Sequence, residues 1–144
     1  MIILGFDTSC DDTCVATVEA DKRRLQRGFK RMKFEILSNM ISSQVKLHAK
    51  YGGVYPALAK REHIKNLPTV FKQATKKIKL SEIDLIGLTV GPGLEPCLWQ
   101  GINFAKNLAQ KLNLPIVPIN HIEAHILANW LPPVSENSKF AQPS

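Results

Sequence analysis

Asn120-His121-Ile122-Glu123-Ala124-His125 holds the side chains with the clearest chemical potential in this sequence. Two histidines four residues apart on a helix leave the same face, with Cβ atoms roughly 5–6 Å apart. Neutral imidazole nitrogens at that spacing can grip one transition-metal ion. Asn120 is a preferred helix N-cap, which places both rings in the first two turns. There the positive end of the helix dipole disfavours imidazolium and favours the ligating form. Glu123 resembles the base of a zinc protease only superficially. In His-Glu-x-x-His the base directly follows the first ligand, whereas Glu123 lies two residues on, roughly 200° around the helix. A capping-box partnership with Asn120 is the better reading. Two ligands do not complete a site.

Two loops have the composition to hold an anion. Asp7-Thr8-Ser9-Cys10-Asp11-Asp12-Thr13 combines hydroxyls, backbone N–H groups and carboxylates in a turn between two apolar runs. Such a hairpin can wrap phosphate oxygens while its carboxylates hold a metal or orient a nucleophile. The competing reading is an Asx/Ser turn that satisfies only its own backbone. Gly91-Pro92-Gly93-Leu94 joins a strand to a helix, where glycines permit close backbone approach and the helix start offers N–H donors. It lacks the Lys-Ser/Thr of a P-loop and the spacing of a dinucleotide fingerprint. Cys10 and Cys14 read as small packing residues, since no histidine lies near them in sequence. Arg61 and His63 read as surface residues of a helix. His48 and the Tyr51-Gly52-Gly53 turn remain open between site and scaffold.

The elements that must position these groups follow from apolar periodicity. Ile2 to Phe6, Thr13 to Glu19 and Phe34 to Ile41 predict three strands, the first two forming a hairpin. Lys50 to Pro56 is a loop by its glycines and proline. From Ala57 onward, Ile64, Leu67, Phe71, Ala74 and Ile78 form a helix face, with Pro68 placed to split or kink it. Leu85 to Val90 is a buried strand. A second helix carries Leu98, Ile102, Ala105, Leu108 and Leu112 on one side. Pro115 to Ile119 is a last short strand, and the histidine helix runs from Asn120 to about Trp130, stopped by Pro132-Pro133. The order β-β-β-α-β-α-β-α argues for an α/β domain with a mixed sheet and helices on its faces.

At 144 residues and 44% hydrophobic, the chain is one ordinary domain with a single core. No apolar run approaches the ~18–20 residues needed to span a bilayer, so no membrane role is expected. Met1-Ile2-Ile3-Leu4 lacks the basic flank of a signal peptide. Three cysteines without a CxxC fit a reducing cytoplasm better than a disulfide framework. Residues Lys22 to Lys33 carry seven positive side chains and no acid, as many as the whole net charge of +7. That segment reads either as a solvated hairpin tip or as a surface facing nucleic acid or phosphate. Residues 135–144 are polar and weakly patterned.

Taken together, the segments resemble the N-terminal half of the tRNA threonylcarbamoyladenosine transferase family, formerly called O-sialoglycoprotein endopeptidases or glycoproteases. The resemblance rests on Leu4-Gly5-Phe6-Asp7-Thr8-Ser9-Cys10-Asp11-Asp12-Thr13, Ile36-Leu37-Ser38-Asn39 with Ser43-Gln44, and His48-Ala49-Lys50-Tyr51-Gly52-Gly53-Val54. It continues through Arg61-Glu62-His63, Gly91-Pro92-Gly93-Leu94, Phe104-Ala105-Lys106 and Asn120 to His125. Ser-Cys-Asp-Asp-Thr is similar to the bacterial and organellar branch.

The resemblance implies a ribonuclease-H-like lobe of the actin/hexokinase/Hsp70 (ASKHA) architecture over residues 1–131, with 132–144 a loose tail or the start of an inter-lobe connection. It implies that His121 and His125 bind one iron or zinc ion, with a third ligand, an aspartate, on a second lobe outside this sequence. It implies that Asp11 and Asp12 are needed for activity and that Asp7, Thr8, Ser9, Gly91 and Gly93 face the nucleotide. The substrate would be threonylcarbamoyl-AMP, whose threonylcarbamoyl group passes to N6 of adenosine 37 in tRNAs reading ANN codons. Expected partners are tRNA, a related platform protein, an ATPase and the second lobe; residues 1–144 alone are expected to be inactive. A non-catalytic platform subunit is the alternative, disfavoured by the histidine pair, and a metalloprotease ranks last. Two departures from the family pattern stand out. Glu95-Pro96-Cys97-Leu98 replaces a Gly-Ser/Ala-Leu continuation, and Ala57 replaces a glutamate.

Overall fold

The computed structural model describes residues 1–21 and 34–129. Strands β1 (Ile2–Asp7), β2 (Asp12–Ala20) and β3 (Phe34–Ser43) come first, followed by a one-turn helix α1 (Val45–His48) and the long helix α2 (Pro56–Ala74). Then come β4 (Ile83–Gly91), α3 (Glu95–Leu112), β5 (Ile116–Asn120) and α4 (His121–Ala128). Apart from the single-turn α1, this is the order that the periodicity predicts. The basic segment Lys22–Lys33, the stop at Pro132-Pro133 and the boundary near residue 131 lie outside the described residues.

The five strands form one mixed sheet in the order β3-β2-β1-β4-β5. β1 is central, antiparallel to β2 and parallel to β4, while β4 and β5 are parallel. Pleat alternation splits β1 cleanly. Leu4 and Phe6 are buried, whereas Ile3, Gly5 and Asp7 point to the opposite, half-buried face. Helices α2 and α3 touch each other and cover the Leu4/Phe6 face. Phe6, Phe71 and Phe104 lock β1, α2 and α3 together, with ring centroids 5.7 to 6.3 Å apart. Burying rings of this size accounts for much of the apolar core energy.

Three sequence expectations are corrected here. α2 runs through Pro68 without a split; Pro68 lies on its exposed side and lacks the N–H that would bond the Ile64 carbonyl. α2 ends at Ala74, so Ile78 follows the helix and does not extend its face. Its inward stripe is Ala59, His63, Leu67, Val70 and Ala74, while Ile64 is 53% exposed. His63 therefore takes the inner position that apolar counting gave to Ile64. Polar residues are invisible to a hydrophobicity count even when their hydrogen bonds are met inside.

Candidate functional site

The ends of β1, β4 and β5 converge where the hairpin, the Gly-Pro-Gly turn and the start of α4 meet. Asp7 is the last residue of β1, and its carboxylate ties the hairpin, β4 and α4 together. Oδ1 accepts the Ser9 backbone N–H at 2.7 Å, and Oδ2 accepts the Thr89 hydroxyl at 2.8 Å. His121 Nδ1 lies 2.8 Å from the same Oδ2 and 3.2 Å from Ser9 Oγ. Burial alone would push the Asp7 carboxyl up, but the hydrogen bonds from Ser9, His121 and Thr89 outweigh it and hold the group below its usual value.

Asn120 caps α4 as its residue type predicts, Oδ1 accepting from the N–H groups of Ile122 and Glu123 at 2.9 and 3.1 Å. The cap aims the first helical residue, His121, back over β1. With Nδ1 donating to Asp7, the Nε2 lone pair of His121 is free to accept, and it faces His125 Nε2 at 3.2 Å. The rings stand edge-to-face at 88°. Two nitrogens sharing one tetrahedral ion at ordinary Zn–N distances are about 3.3 Å apart, so the pair is spaced as such ligands are. A carboxylate behind a ligating histidine is also the usual means of fixing its tautomer. Among the described residues, no set of three such side chains is grouped for an ion. The chain thus brings two imidazole nitrogens together, with the Asp7 carboxylate behind one of them.

Thr8 turns to the other side of the sheet. Its hydroxyl donates to the Cys97 carbonyl at 2.9 Å and accepts the Gly101 N–H at 3.2 Å, stapling the hairpin to α3. Ser9 is held by its carbonyl, which accepts the Leu94 N–H at 2.7 Å. A Cβ on Gly93 would lie 2.6 Å from that carbonyl oxygen, so only glycine allows the two loops to touch. Gly91 ends β4 and pairs with Asn120. Pro96 occupies the first turn of α3, where a missing N–H costs nothing.

Asp11 and Asp12 belong to the far side of the hairpin. The Asp11 carbonyl accepts the Gln44 N–H at 3.0 Å, and Asp12 pairs with Ser43. Asp12 Oδ1 is buried without a hydrogen-bond partner. This side is braced by a residue the sequence reading placed on the surface. His63 is fully buried; its Nε2 donates to the Cys10 carbonyl at 3.0 Å and its Nδ1 accepts from Thr13 Oγ1 at 2.8 Å. Burial pushes its pKa down despite the neighbouring carboxylates. The cysteines are scaffold: burial, with the Asp7 and Asp12 charges, raises Cys14 to about 12, and burial raises Cys97 to about 11. Cys10 is exposed, yet desolvation and Asp11 raise its thiol pKa too.

Comparison with solved structures places this architecture among ribonuclease-H-like folds. YeaZ from Pseudomonas aeruginosa is similar with a TM-score of 0.57 at 19% identity, over 90% of this chain and 51% of that one. Thermus thermophilus RuvC is similar with a TM-score of 0.54 at 10% identity, over 90% of this chain and 68% of that one. Curated relatives match much more strongly in sequence. The tRNA N6-adenosine threonylcarbamoyltransferase of Thermosipho melanesiensis is 50% identical over 133 residues, which are 91% of this chain and 37% of that protein. The enzyme of the same name from Fusobacterium nucleatum is 45% identical over 91% of this chain and 36% of its own length. The chain thus spans about a third of the length of these relatives. The profile of the tRNA N6-adenosine threonylcarbamoyltransferase family matches residues 35–140, and the chain belongs to that family.

Proposed function

We propose that this chain supplies the ion-binding and phosphate-facing lobe of a cytoplasmic tRNA N6-adenosine threonylcarbamoyltransferase. The full reaction moves threonylcarbamoyl from threonylcarbamoyl-AMP to N6 of adenosine 37 in ANN-reading tRNAs. The N6 amine attacks the carbonyl of the mixed carbonic-phosphoric anhydride, and AMP leaves. The observation that carries this reading is the 3.2 Å approach of His121 Nε2 to His125 Nε2, backed by Asp7 behind His121. A bound iron or zinc ion would supply Lewis-acid stabilisation of developing negative charge.

The chain's own residues do the rest of this lobe's work. Asp7 fixes the His121 ring. The hairpin Asp7-Thr8-Ser9, locked against Gly93 and α3, with Gly91 at the strand end, faces the nucleotide phosphate. Asp11 and Asp12, on the far side of the hairpin, are the carboxylates this reading makes necessary for activity. The third ligand and most substrate contacts belong to the part of the relatives' length beyond this chain, and a related platform protein and an ATPase complete the system.

Titration with zinc, and anaerobically with ferrous iron, tests the reading directly. One ion should bind per chain, and His121→Ala or His125→Ala should abolish binding. Stoichiometric binding unaffected by both substitutions would defeat the assignment. Activity is tested by threonylcarbamoyl transfer to ANN-reading tRNA with the remainder of a relative supplied in trans.

A further inference from the structure

The loop between β3 and α2 carries two exposed tyrosines that are already stacked. Tyr51 and Tyr55 have ring centroids 5.5 Å apart with planes 30° from parallel, and they are 54% and 52% exposed. Lys50 Nζ sits 5.1 Å from the Tyr51 ring centroid. Stacked and half-exposed, the rings present flat faces that a partner can cover.

The pair is held by buried polar contacts. His48 is 3% exposed; its Nε2 donates to Gln44 Oε1 at 3.0 Å and its Nδ1 accepts the Tyr55 N–H at 3.3 Å. Gly52, at φ +71°, closes the short turn that carries Tyr51, a conformation that side-chain-bearing residues rarely adopt. Pro56 starts α2 directly after Tyr55. The anchor also reaches the site, because the Gln44 N–H donates to the Asp11 carbonyl at 3.0 Å.

Charge around the pair is one-sided. Lys46, Lys50, Lys60, Arg61 and Lys65 are all exposed, and Glu62 is the one acid between positions 44 and 65. Preformed aromatic faces with Lys50 beside them, in a segment rich in exposed cations, suit unpaired nucleobases on a phosphate backbone; a purely apolar protein partner would gain nothing from the lysines. We propose that Tyr51 and Tyr55, with Lys50, form a stacking platform for unpaired bases of single-stranded RNA beside the Asp11–Asp12 hairpin. This takes RNA as the substrate class from the reading above and adds where, and by which contacts, it is held.

The test is equilibrium binding of the whole chain to a short single-stranded oligoadenylate, followed by fluorescence anisotropy across a salt series. Tyr51→Leu and Tyr55→Leu should each weaken binding about ten-fold, since they keep apolar bulk but lose the π face. Their salt slopes should match that of the unsubstituted chain. Lys50→Gln should lower the salt slope by about 0.7. Tyr51→Phe and Tyr55→Phe keep the ring and should bind normally, which separates stacking from any loss of folding. A duplex of equal length should compete poorly, its bases being already stacked.

Leucine variants that bind like the unsubstituted chain would overturn the platform, as would phenylalanine variants that fail equally or a duplex that competes fully. The same holds if the tyrosine variants lose only a protein partner. No binding of oligoadenylate by the unsubstituted chain would also overturn it, while the ion titration above would still decide the transferase reading separately.

Discussion

Asp7 Oδ2 and His121 Nδ1 meet at 2.8 Å although 114 positions separate them, joining the end of the central strand to the first residue of the last helix. The contact decides which histidine nitrogen is free, because a proton shared with Asp7 leaves Nε2 to accept. Asp7→Asn should therefore keep the fold but reduce affinity for zinc about 10- to 100-fold. Calorimetric titration of both proteins checks this; unchanged affinity would remove Asp7 from the ion site.

His63→Ala should destabilise the chain by about 2–4 kcal/mol. It opens a cavity beneath the sheet and strands two buried partners, the Cys10 carbonyl and the Thr13 hydroxyl. Urea denaturation gives the difference directly, and a loss under about 1 kcal/mol would mean that the hairpin does not depend on this brace.

The same residue makes stability depend on pH. The folded chain holds the His63 pKa below its ordinary 6.5, so on acidification the unfolded chain takes up a proton first. Stability should be complete above pH 6.5 and fall as pH drops from there through the folded-state value. Comparing urea midpoints at neutral and mildly acidic pH, the decline should be smaller in His63→Asn than in the unsubstituted chain. Equal declines would show that other groups carry the dependence.

Gly93→Ala should destabilise by about 1–3 kcal/mol through overpacking, since its Cβ would stand 2.6 Å from the Ser9 carbonyl oxygen and 2.9 Å from the Ser9 Cβ. Ser9 must then move, and with it the Oγ contact to His121. Reduced zinc affinity in parallel with reduced stability is the expected pair of readings.

Cys14, with a pKa of about 12, should resist iodoacetamide at pH 8, where only about one thiol in 10⁴ is ionised. Peptide mass mapping of the native chain should find Cys14 unmodified, and modification at the rate of a free thiol would contradict its assignment to the scaffold.

Strand and helix order was legible in the sequence because apolar spacing is a local signal. So was the α4 cap, because Asn120 and the residues it bonds are neighbours. The histidine pair was visible for the same reason, one helical turn being enough to align two rings. What spacing could not show was Asp7 behind His121, a contact made only once β1, β4 and β5 lie side by side. His63 was misread for a related reason. Its partners, Cys10 and Thr13, are about fifty positions away, and a histidine satisfied by distant oxygens looks in sequence like one facing water. The tyrosine stack leaves no such signal, because Gly52-Gly53 advertises a turn but not where its flanking rings point.

The parallel pairing of β1 with β4 and of β4 with β5 also governs when the histidine pair can be set against Asp7. Ile2 must find Ile83, and β5 must then add at the edge, before Asp7 has a ring to hold. Contacts of such long sequence separation form late and slowly, because chain closure precedes any reward. The β1–β2–β3 meander can form without them, but an ion cannot be gripped in the oriented geometry until the last strand has docked. Ion uptake during refolding is thus a clock for that final step, and it should lag the recovery of most of the sheet.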